Sequence, residues 1–161
     1  MKDLIITEKP SVARDLAKNL GVFEKQDNSL VSDQYIITWA VGHLLELAEP
    51  QDYDKGYKFW TLEKLPILPK KFELKPILKS KKQLDEVLSC IRKRGIENII
   101  NACDAGREGE LIFRNLIEYS KSRRPIKRLW LSSMTSEAIK KGFNDLKDSS
   151  HFDSLGEAAK C

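Results

Sequence analysis

The stretch that decides the fold is Ile99-Ile100-Asn101-Ala102-Cys103-Asp104-Ala105-Gly106-Arg107-Glu108-Gly109-Glu110-Leu111-Ile112-Phe113-Arg114. A short apolar run rich in isoleucine ends near an acid, passes through a turn of small residues and resumes with apolar residues at helical spacing. This pattern predicts a strand, a loop and a helix. Open α/β sheets bind ligands where a strand ends and a helix begins, so Asp104, Glu108 and Glu110 are candidate site residues.

Two interpretations of this acidic cluster are open. An acid in the first turn of a helix opposes the helix dipole and contributes roughly 0.3 to 1 kcal/mol, and Asp is a good N-cap. However, two unit charges ~4 Å apart near a protein surface repel by about 4 kcal/mol. Several carboxylates around one turn therefore need a counter-charge, which Arg107, a bound Mg2+ or both can supply. From this stretch alone, helix capping and a metal site are equally acceptable.

Length and composition predict one folded domain. The chain has 161 residues, of which 32% are charged and 41% hydrophobic, and no apolar run approaches the ~20 residues that span a bilayer. The N-terminal residues enter a strand-like segment without an export signal. The three cysteines are odd in number and widely spaced, at positions Cys90, Cys103 and Cys161. We therefore expect reduced thiols in a soluble, cytoplasmic protein with no membrane partner.

Positive charge is concentrated in two segments of this chain, whose net charge is +4. Residues 64–82 contain seven lysines against the single acid Glu73, and residues 121–128 contain five cations and no acid. Each segment is compatible with an ordinary solvated surface. Beside an acidic cluster that suits a metal, the two segments also favour a partner with a phosphate backbone.

A second strand, loop and helix opens the chain. Residues 4–7 form a short β-branched run, the loop begins with Glu8, and residues 12–20 have helical spacing before Gly21, a predicted C-cap. If this strand and the one before Asp104 lie in one parallel sheet, their carboxyl ends share an edge. Glu8 and Asp104 are then expected to lie close together.

The remaining elements indicate an α/β fold with a mainly parallel, doubly wound sheet. We predict strands at 29–32, 34–41, 98–103 and 126–131, and helices at 81–95, 107–120 and 136–146, the last with Thr135 as its N-cap. The tail, residues 147–161, is polar and then weakly helical, without a closing strand. We expect it to be the end of a fragment of a longer protein.

Residues 48–79 form an irregular insertion rich in proline, aromatic residues and lysine, which we expect to pack on the surface of the sheet. Within it, Trp60 either stacks on a nucleic-acid base, worth roughly 1 to 3 kcal/mol, or packs under the loop. Before it, His43 follows Gly42 at the end of a predicted strand. It either binds phosphate or DNA, or is a structural histidine held by a backbone carbonyl.

Four motifs in order carry a family resemblance: residues 7–13 (TEKPSVA), 39–44 (WAVGHL), 65–69 (LPILP) and 104–110 (DAGREGE). Together they resemble the N-terminal part of bacterial type IA DNA topoisomerases, in particular the topoisomerase III branch. The resemblance covers nearly the whole chain. It implies a single Toprim domain over residues 1–161, Rossmann-like with helices on both faces, in an enzyme that cleaves and religates single-stranded DNA.

The resemblance also implies roles for individual residues. Glu8, Asp104 and Glu108 match the family's Mg2+-associated acids, and Glu8 is in addition a candidate for proton transfer. Lys9 and Arg107 match basic residues near the scissile phosphate, while Trp60 and His43 are expected on the DNA-binding side. Where the family has the middle Asp of its acidic motif, this chain has Gly106. The number of metal ions therefore cannot be inherited. Glu110 is the candidate to compensate for the missing acid, although its offset of two residues from Glu108 points it elsewhere on the helix.

The family's nucleophile is a tyrosine in a downstream domain, in a Tyr-Pro-Arg or Tyr-Thr-Arg context. None of the four tyrosines has that context; they are Tyr35, Tyr53, Tyr57 and Tyr119. The resemblance thus implies that the chain needs the C-terminal domains of its enzyme and does not relax DNA alone.

Two alternatives remain. A free-standing Toprim nuclease or phosphotransfer protein would use the same acids without a tyrosine adduct. A receiver-like signalling module also has an acid at a strand end, but it opens its first loop with an acidic pair, whereas Glu8 stands alone here.

Overall fold

The computed structural model describes residues 1–59 and 61–160. Two sequence predictions, a DNA contact by Trp60 and a reduced thiol at Cys161, lie outside the described residues. Cys90 and Cys103 are free thiols, of which Cys103 is buried.

A seven-stranded sheet forms the centre of the molecule, with the strand order β2-β3-β4-β1-β7-β8-β9. Its strands are β1 (Lys2–Thr7), β2 (Glu24–Gln26), β3 (Ser29–Val31), β4 (Tyr35–Trp39), β7 (Ile96–Ala102), β8 (Ile126–Arg128) and β9 (Lys147–Asp148), while β5 (Leu45–Leu47) and β6 (Leu74–Pro76) form a separate antiparallel pair. The neighbours β4, β1, β7 and β8 are parallel. The predicted mainly parallel α/β sheet is confirmed.

Helices cover both faces of the sheet. The α-helices of the described residues are α1 (Pro10–Leu20), α2 (Pro50–Tyr53), α3 (Lys81–Arg92), α4 (Arg107–Ser120), α5 (Ser136–Asn144) and α6 (Asp153–Lys160). Leu4 and Ile6 of β1 pack with α3 and α4 on one face, and Ile5 packs with α1 and α5 on the other. This follows from the alternation of side chains along a strand. No described helix has the length and apolarity needed to cross a membrane.

Several predicted boundaries are wrong. The strand predicted at 126–131 ends at Arg128, whose side chain turns into the interior. The tail was expected to have no closing strand, but β9 pairs antiparallel with β8 through Lys127 and Asp148. The strand β9 has only two residues, and both are exposed and charged. The strand β2 is also exposed and polar. Neither strand shows a hydrophobic periodicity, so neither could be recognised from the sequence.

The insertion is anchored at its base by the β5–β6 pair and contains α2 and two short 3-10 helices, Lys55–Lys58 and Leu62–Lys64. The expectation that it packs on the sheet is wrong for its middle. Phe59, Leu62 and Leu68 are 74%, 90% and 79% exposed. The apolar composition of the insertion does not show which of its side chains are buried by the rest of the chain and which are exposed to solvent.

Candidate active site

The candidate site lies at the carboxyl ends of β1 and β7, which are adjacent and parallel with Thr7 opposite Ala102. After β1 the chain enters α1 on one face of the sheet, and after β7 it enters α4 on the other. Such a divergence opens a crevice at the strand ends, the usual ligand site of an open α/β sheet. Glu8 and Asp104 emerge at this crevice from the two neighbouring strands.

Asp104 and Lys9 join the two strand ends by an ion pair. The distance from Lys9 Nζ to Asp104 Oδ2 is 2.9 Å, and both side chains are about half exposed. The hydrogen bond to Asp104 raises the pKa of Lys9, with the negative charge of Asp104 the next cause. The sequence predicted that Glu8 and Asp104 lie close together. In the structure Lys9, the residue after Glu8, forms the ion pair with Asp104.

Glu8 lies among these charges and is partly buried. Burial is the first cause that raises the pKa of its carboxyl group, and repulsion by Asp104 is the second, with Lys9 opposing them. Glu108 adds a smaller repulsion of the same sign. The three carboxylates therefore interact, and their repulsion favours the binding of a cation at this edge.

His43 reaches the site from the end of β4. Its Nε2 lies 3.4 Å from Glu108 Oε1 in the first turn of α4. Its partner is thus a carboxylate rather than the backbone carbonyl considered from the sequence. Arg107, at the first position of α4, is exposed and forms no ion pair with a described acid.

The turn that carries His43 has unusual backbone geometry. Val41 has φ +58° and Gly42 has φ +83°, and a β-branched residue rarely adopts the left-handed region. The Val41 N–H donates a hydrogen bond to the Glu8 carbonyl at 2.8 Å, which ties this turn to the loop after β1. Strain of this kind often marks a functional site, because the surrounding structure must hold it in place.

The residues at the crevice match Mg2+ in chemistry, although they are not gathered into a ready cluster. No three His, Cys, Asp or Glu side chains among the described residues converge closely enough to hold a metal. The donors of Glu8, Asp104 and Glu108 are all carboxylate oxygens, which Mg2+ prefers, and Mg2+ commonly takes only one or two of them with water in its other positions. Lys9 and His43 now pair with two of these acids.

Gly106 leaves open space where the resembling family has another acid. It precedes α4 with φ 163°, an extended conformation, and a Cβ added there would have no heavy atom within 4 Å. Gly109, one turn further, is the opposite case. A Cβ at Gly109 would lie 2.2 Å from the Asp104 carbonyl oxygen, so this position brings α4 directly against the loop that carries Asp104.

Sequence analysis missed a buried ion-pair network behind the site. Arg128 and Glu110 are 1% and 2% exposed, and Arg128 Nε lies 3.2 Å from Glu110 Oε2. Burial lowers the pKa of Arg128, and the charge of Glu110 opposes that effect. Arg128 had been counted only as one cation of a basic segment. The available signal was its position inside the predicted strand 126–131, directly before the apolar residues Leu129-Trp130-Leu131.

A groove of about 480 Å3 opens beside Asp104, lined by Val12, Ala105 and residues 129–134. Trp130 is 40% exposed on this groove, and its ring stacks on Phe152 with the centroids 5.0 Å apart. Because Asp104 and Ala105 line it, the groove adjoins the crevice.

Comparison with known proteins assigns the chain to a family. Residues 3–134 match the Toprim domain. DNA topoisomerase 3 of Staphylococcus haemolyticus is 47% identical over 159 residues, which are 99% of this chain and 22% of that protein, and DNA topoisomerase 3 of Bacillus subtilis is 46% identical over 158 residues, 98% and 22%. The chain spans about a fifth of the length of these curated relatives.

Among solved structures, full-length topoisomerase I from Thermotoga maritima superposes with a TM-score of 0.56 at 19% identity, over 91% of this chain and 21% of that one. That likeness concerns the fold. The family match over most of the chain gives the assignment: this protein belongs to the Toprim domain family.

Proposed function

We propose that the chain is the Mg2+-binding Toprim part of a type IA DNA topoisomerase of the topoisomerase III branch, which cleaves and religates single-stranded DNA. The observation that carries the proposal is the junction of β1 and β7, where Glu8, Lys9 and Asp104 meet across adjacent parallel strands. The relatives that cover 98–99% of the chain are named DNA topoisomerase 3, which favours this activity over a free-standing nuclease. Work on DNA would locate the protein in the cytoplasm.

We assign the metal to Glu8, Asp104 and Glu108, whose carboxylates face one crevice. A bound Mg2+ would offset negative charge on a phosphodiester and orient it. Glu8 is the candidate for proton transfer, because burial and the neighbouring Asp104 raise its pKa and so make its carboxylate a better proton acceptor. Lys9 and Arg107 are exposed cations at this edge, and we assign them to the phosphate.

DNA contacts beyond the phosphate are assigned to His43 and Trp60. His43 is exposed enough to meet a ligand, with 38% of its side chain accessible beside Glu108. Trp60 belongs to the insertion, where lysines and exposed apolar side chains alternate. This composition suits single-stranded DNA, which is bound by cations along its backbone and by stacking on its bases.

The nucleophile is proposed to come from another part of the enzyme. Tyr35 begins β4, at the amino end of the sheet and thus opposite the crevice. Tyr119 is near the C-terminal end of α4, about 18 Å along the helix axis from Arg107 at 1.5 Å per residue. The Tyr53 hydroxyl accepts a hydrogen bond from the Glu73 N–H within the insertion. On this proposal, the site described here supplies the metal and acid/base half of the catalytic centre.

A Mg2+ titration of the chain tests the proposal. We expect Asp104→Asn and Glu8→Gln each to weaken Mg2+ binding by about tenfold or more, since each removes a charged ligand. Glu97→Gln is the matched control, because Glu97 is an exposed acid at the amino end of β7, at the edge of the sheet opposite the crevice. If both site variants bind Mg2+ like the unchanged chain, the metal assignment is wrong.

A further inference from the structure

The guanidinium of Arg128 is the interior support of the loop that carries Asp104. Arg128 Nη1 donates hydrogen bonds to the carbonyls of Asn101 at 3.0 Å and Cys103 at 2.8 Å, and Nη2 donates to the Asp104 carbonyl at 3.0 Å. A further bond from Nη1 reaches the carbonyl of Leu129, next to Arg128 in the chain. Three of the four acceptors thus belong to the end of β7 and the loop that follows it.

The counter-charge of Arg128 lies on the other element of the site. Glu110 is on α4, two residues after Glu108, and its buried carboxylate faces Arg128 Nε at 3.2 Å. The Asn101 Nδ2 group donates to Glu110 Oε2 at 3.2 Å, and the Asn101 Oδ1 atom accepts from the Cys103 N–H at 3.1 Å. One network therefore connects the loop of Asp104 with the helix of Glu108.

Glu110 also pairs with a second arginine, which provides a comparison within the molecule. Arg114 Nε lies 2.9 Å from Glu110 Oε1, and Arg114 Nη2 lies 3.0 Å from Asp153 Oδ1. Among the described contacts, Arg114 donates to no carbonyl of residues 101–104. The two arginines share one acid, but only Arg128 holds the loop.

These contacts require the fork of a guanidinium. Lysine has one nitrogen at the end of a flexible stem, so it retains the charge but cannot reach carbonyls on both sides of the loop together with Glu110. Without these bonds the carbonyls of Cys103 and Asp104 lose their Arg128 donors, and the loop becomes freer to move. Mg2+ is sensitive to such movement, because it demands nearly ideal octahedral geometry.

We propose that Arg128, held by Glu110, is a positioning residue that fixes Asp104 relative to Glu108 for the metal site, without touching the metal or the DNA. The inference rests on the proposed function in one respect only, namely that Asp104 and Glu108 bind Mg2+. The fixing of the loop itself is a property of the folded chain and can be measured without metal.

The test compares Arg128→Lys with Arg114→Lys in the full 161-residue chain. We expect Arg128→Lys to weaken Mg2+ binding about tenfold, within the 10- to 100-fold range typical of residues that support metal ligands. We also expect it to speed hydrogen exchange of the Cys103 amide at least about tenfold through local opening, with the Ile100 amide little changed. Arg114→Lys should leave both quantities within about twofold.

The outcomes separate positioning from a merely structural role. If Arg128→Lys lowers the melting temperature, yet the folded protein binds Mg2+ normally and protects Cys103, the proposal is overturned. If Arg128→Lys does not fold, Glu110→Gln, which removes the charge and keeps the shape, takes its place with the same expectations. Asp104→Asn is titrated in parallel. Should it bind Mg2+ normally, the metal assignment fails, and the Cys103 exchange rate alone decides whether Arg128 fixes the loop.

Discussion

Gly106 stands where a further carboxylate would face the crevice, and its surroundings do not require a glycine. Its extended φ of 163° is accessible to any residue, and no heavy atom lies within 4 Å of an added Cβ. Steric hindrance therefore does not explain the absence of an acid at this position. The local charge, and with it the strength of metal binding, can be altered here without disturbing the fold.

We predict that Gly106→Asp folds normally and binds Mg2+ several-fold more tightly. Asp is a preferred N-cap where Gly106 now precedes α4, so the free energy of unfolding should be unchanged or higher by a few tenths of a kcal/mol, with at most a small rise in the melting temperature. Thermal melts and Mg2+ titration measure both effects. Gly106→Ala controls for the added side chain and should leave the Mg2+ affinity unchanged. A clear loss of stability in Gly106→Asp would contradict the prediction.

At the scale of single elements, α5 shows how a local signal can be read directly from the sequence. Thr135 Oγ1 accepts a hydrogen bond from the Ala138 N–H at 3.2 Å, as the predicted cap requires. The helix buries Ile139 against the face of the sheet that α1 also covers. Its stability therefore depends on one cap and one apolar contact surface, while the crevice depends on other elements.

We predict that Thr135→Ala lowers the free energy of unfolding by about 1 kcal/mol, because one N–H of the first turn loses its acceptor. Denaturant unfolding measures the change, and Thr135→Ser should restore most of it. The Mg2+ affinity should stay the same, since α5 contributes no acid to the crevice. A variant as stable as the unchanged chain would show that water replaces the cap without loss.

At the scale of the whole molecule, the parallel sheet brings residues that are distant in the sequence to one edge. Asp104 follows Glu8 by 96 positions, yet both emerge from adjacent strands. The predicted parallel sheet was sufficient to anticipate that meeting. The division of Leu4 and Ile5 between the two faces follows from the alternation of side chains along a strand, although it was not among the predictions.

Contacts that depend on tertiary packing could not be predicted. Nothing in the sequence places Arg128, one cation of a basic segment, beside Glu110, and only the assembled layers bury the two side chains together. The pairing of His43 with Glu108 likewise needs the turn at Val41 and the start of α4 in one place. The exposure of Phe59 and Leu62 was missed because composition does not say which surfaces remain uncovered.

We predict that the purified chain does not relax supercoiled plasmid in the presence of Mg2+. Cleavage through a tyrosine requires a nucleophile at the crevice, and Tyr35 and Tyr119 lie toward other ends of the fold. A gel relaxation assay measures this, with the full-length relative from Bacillus subtilis as the positive control. Relaxation by the chain at a comparable rate would show that the reaction does not need a second part of the enzyme.

The close approach of Gly109 to the Asp104 carbonyl limits how related sequences can diverge. Because a Cβ at Gly109 would lie 2.2 Å from that oxygen, any replacement would push α4 away from the loop. Selection should therefore retain glycine at 109 in every lineage that keeps this loop, while position 106, three residues earlier, drifts between glycine and other residues. Within one short motif, the close packing of the backbone requires glycine at position 109, whereas position 106 accepts other residues and can vary with the metal chemistry of the enzyme.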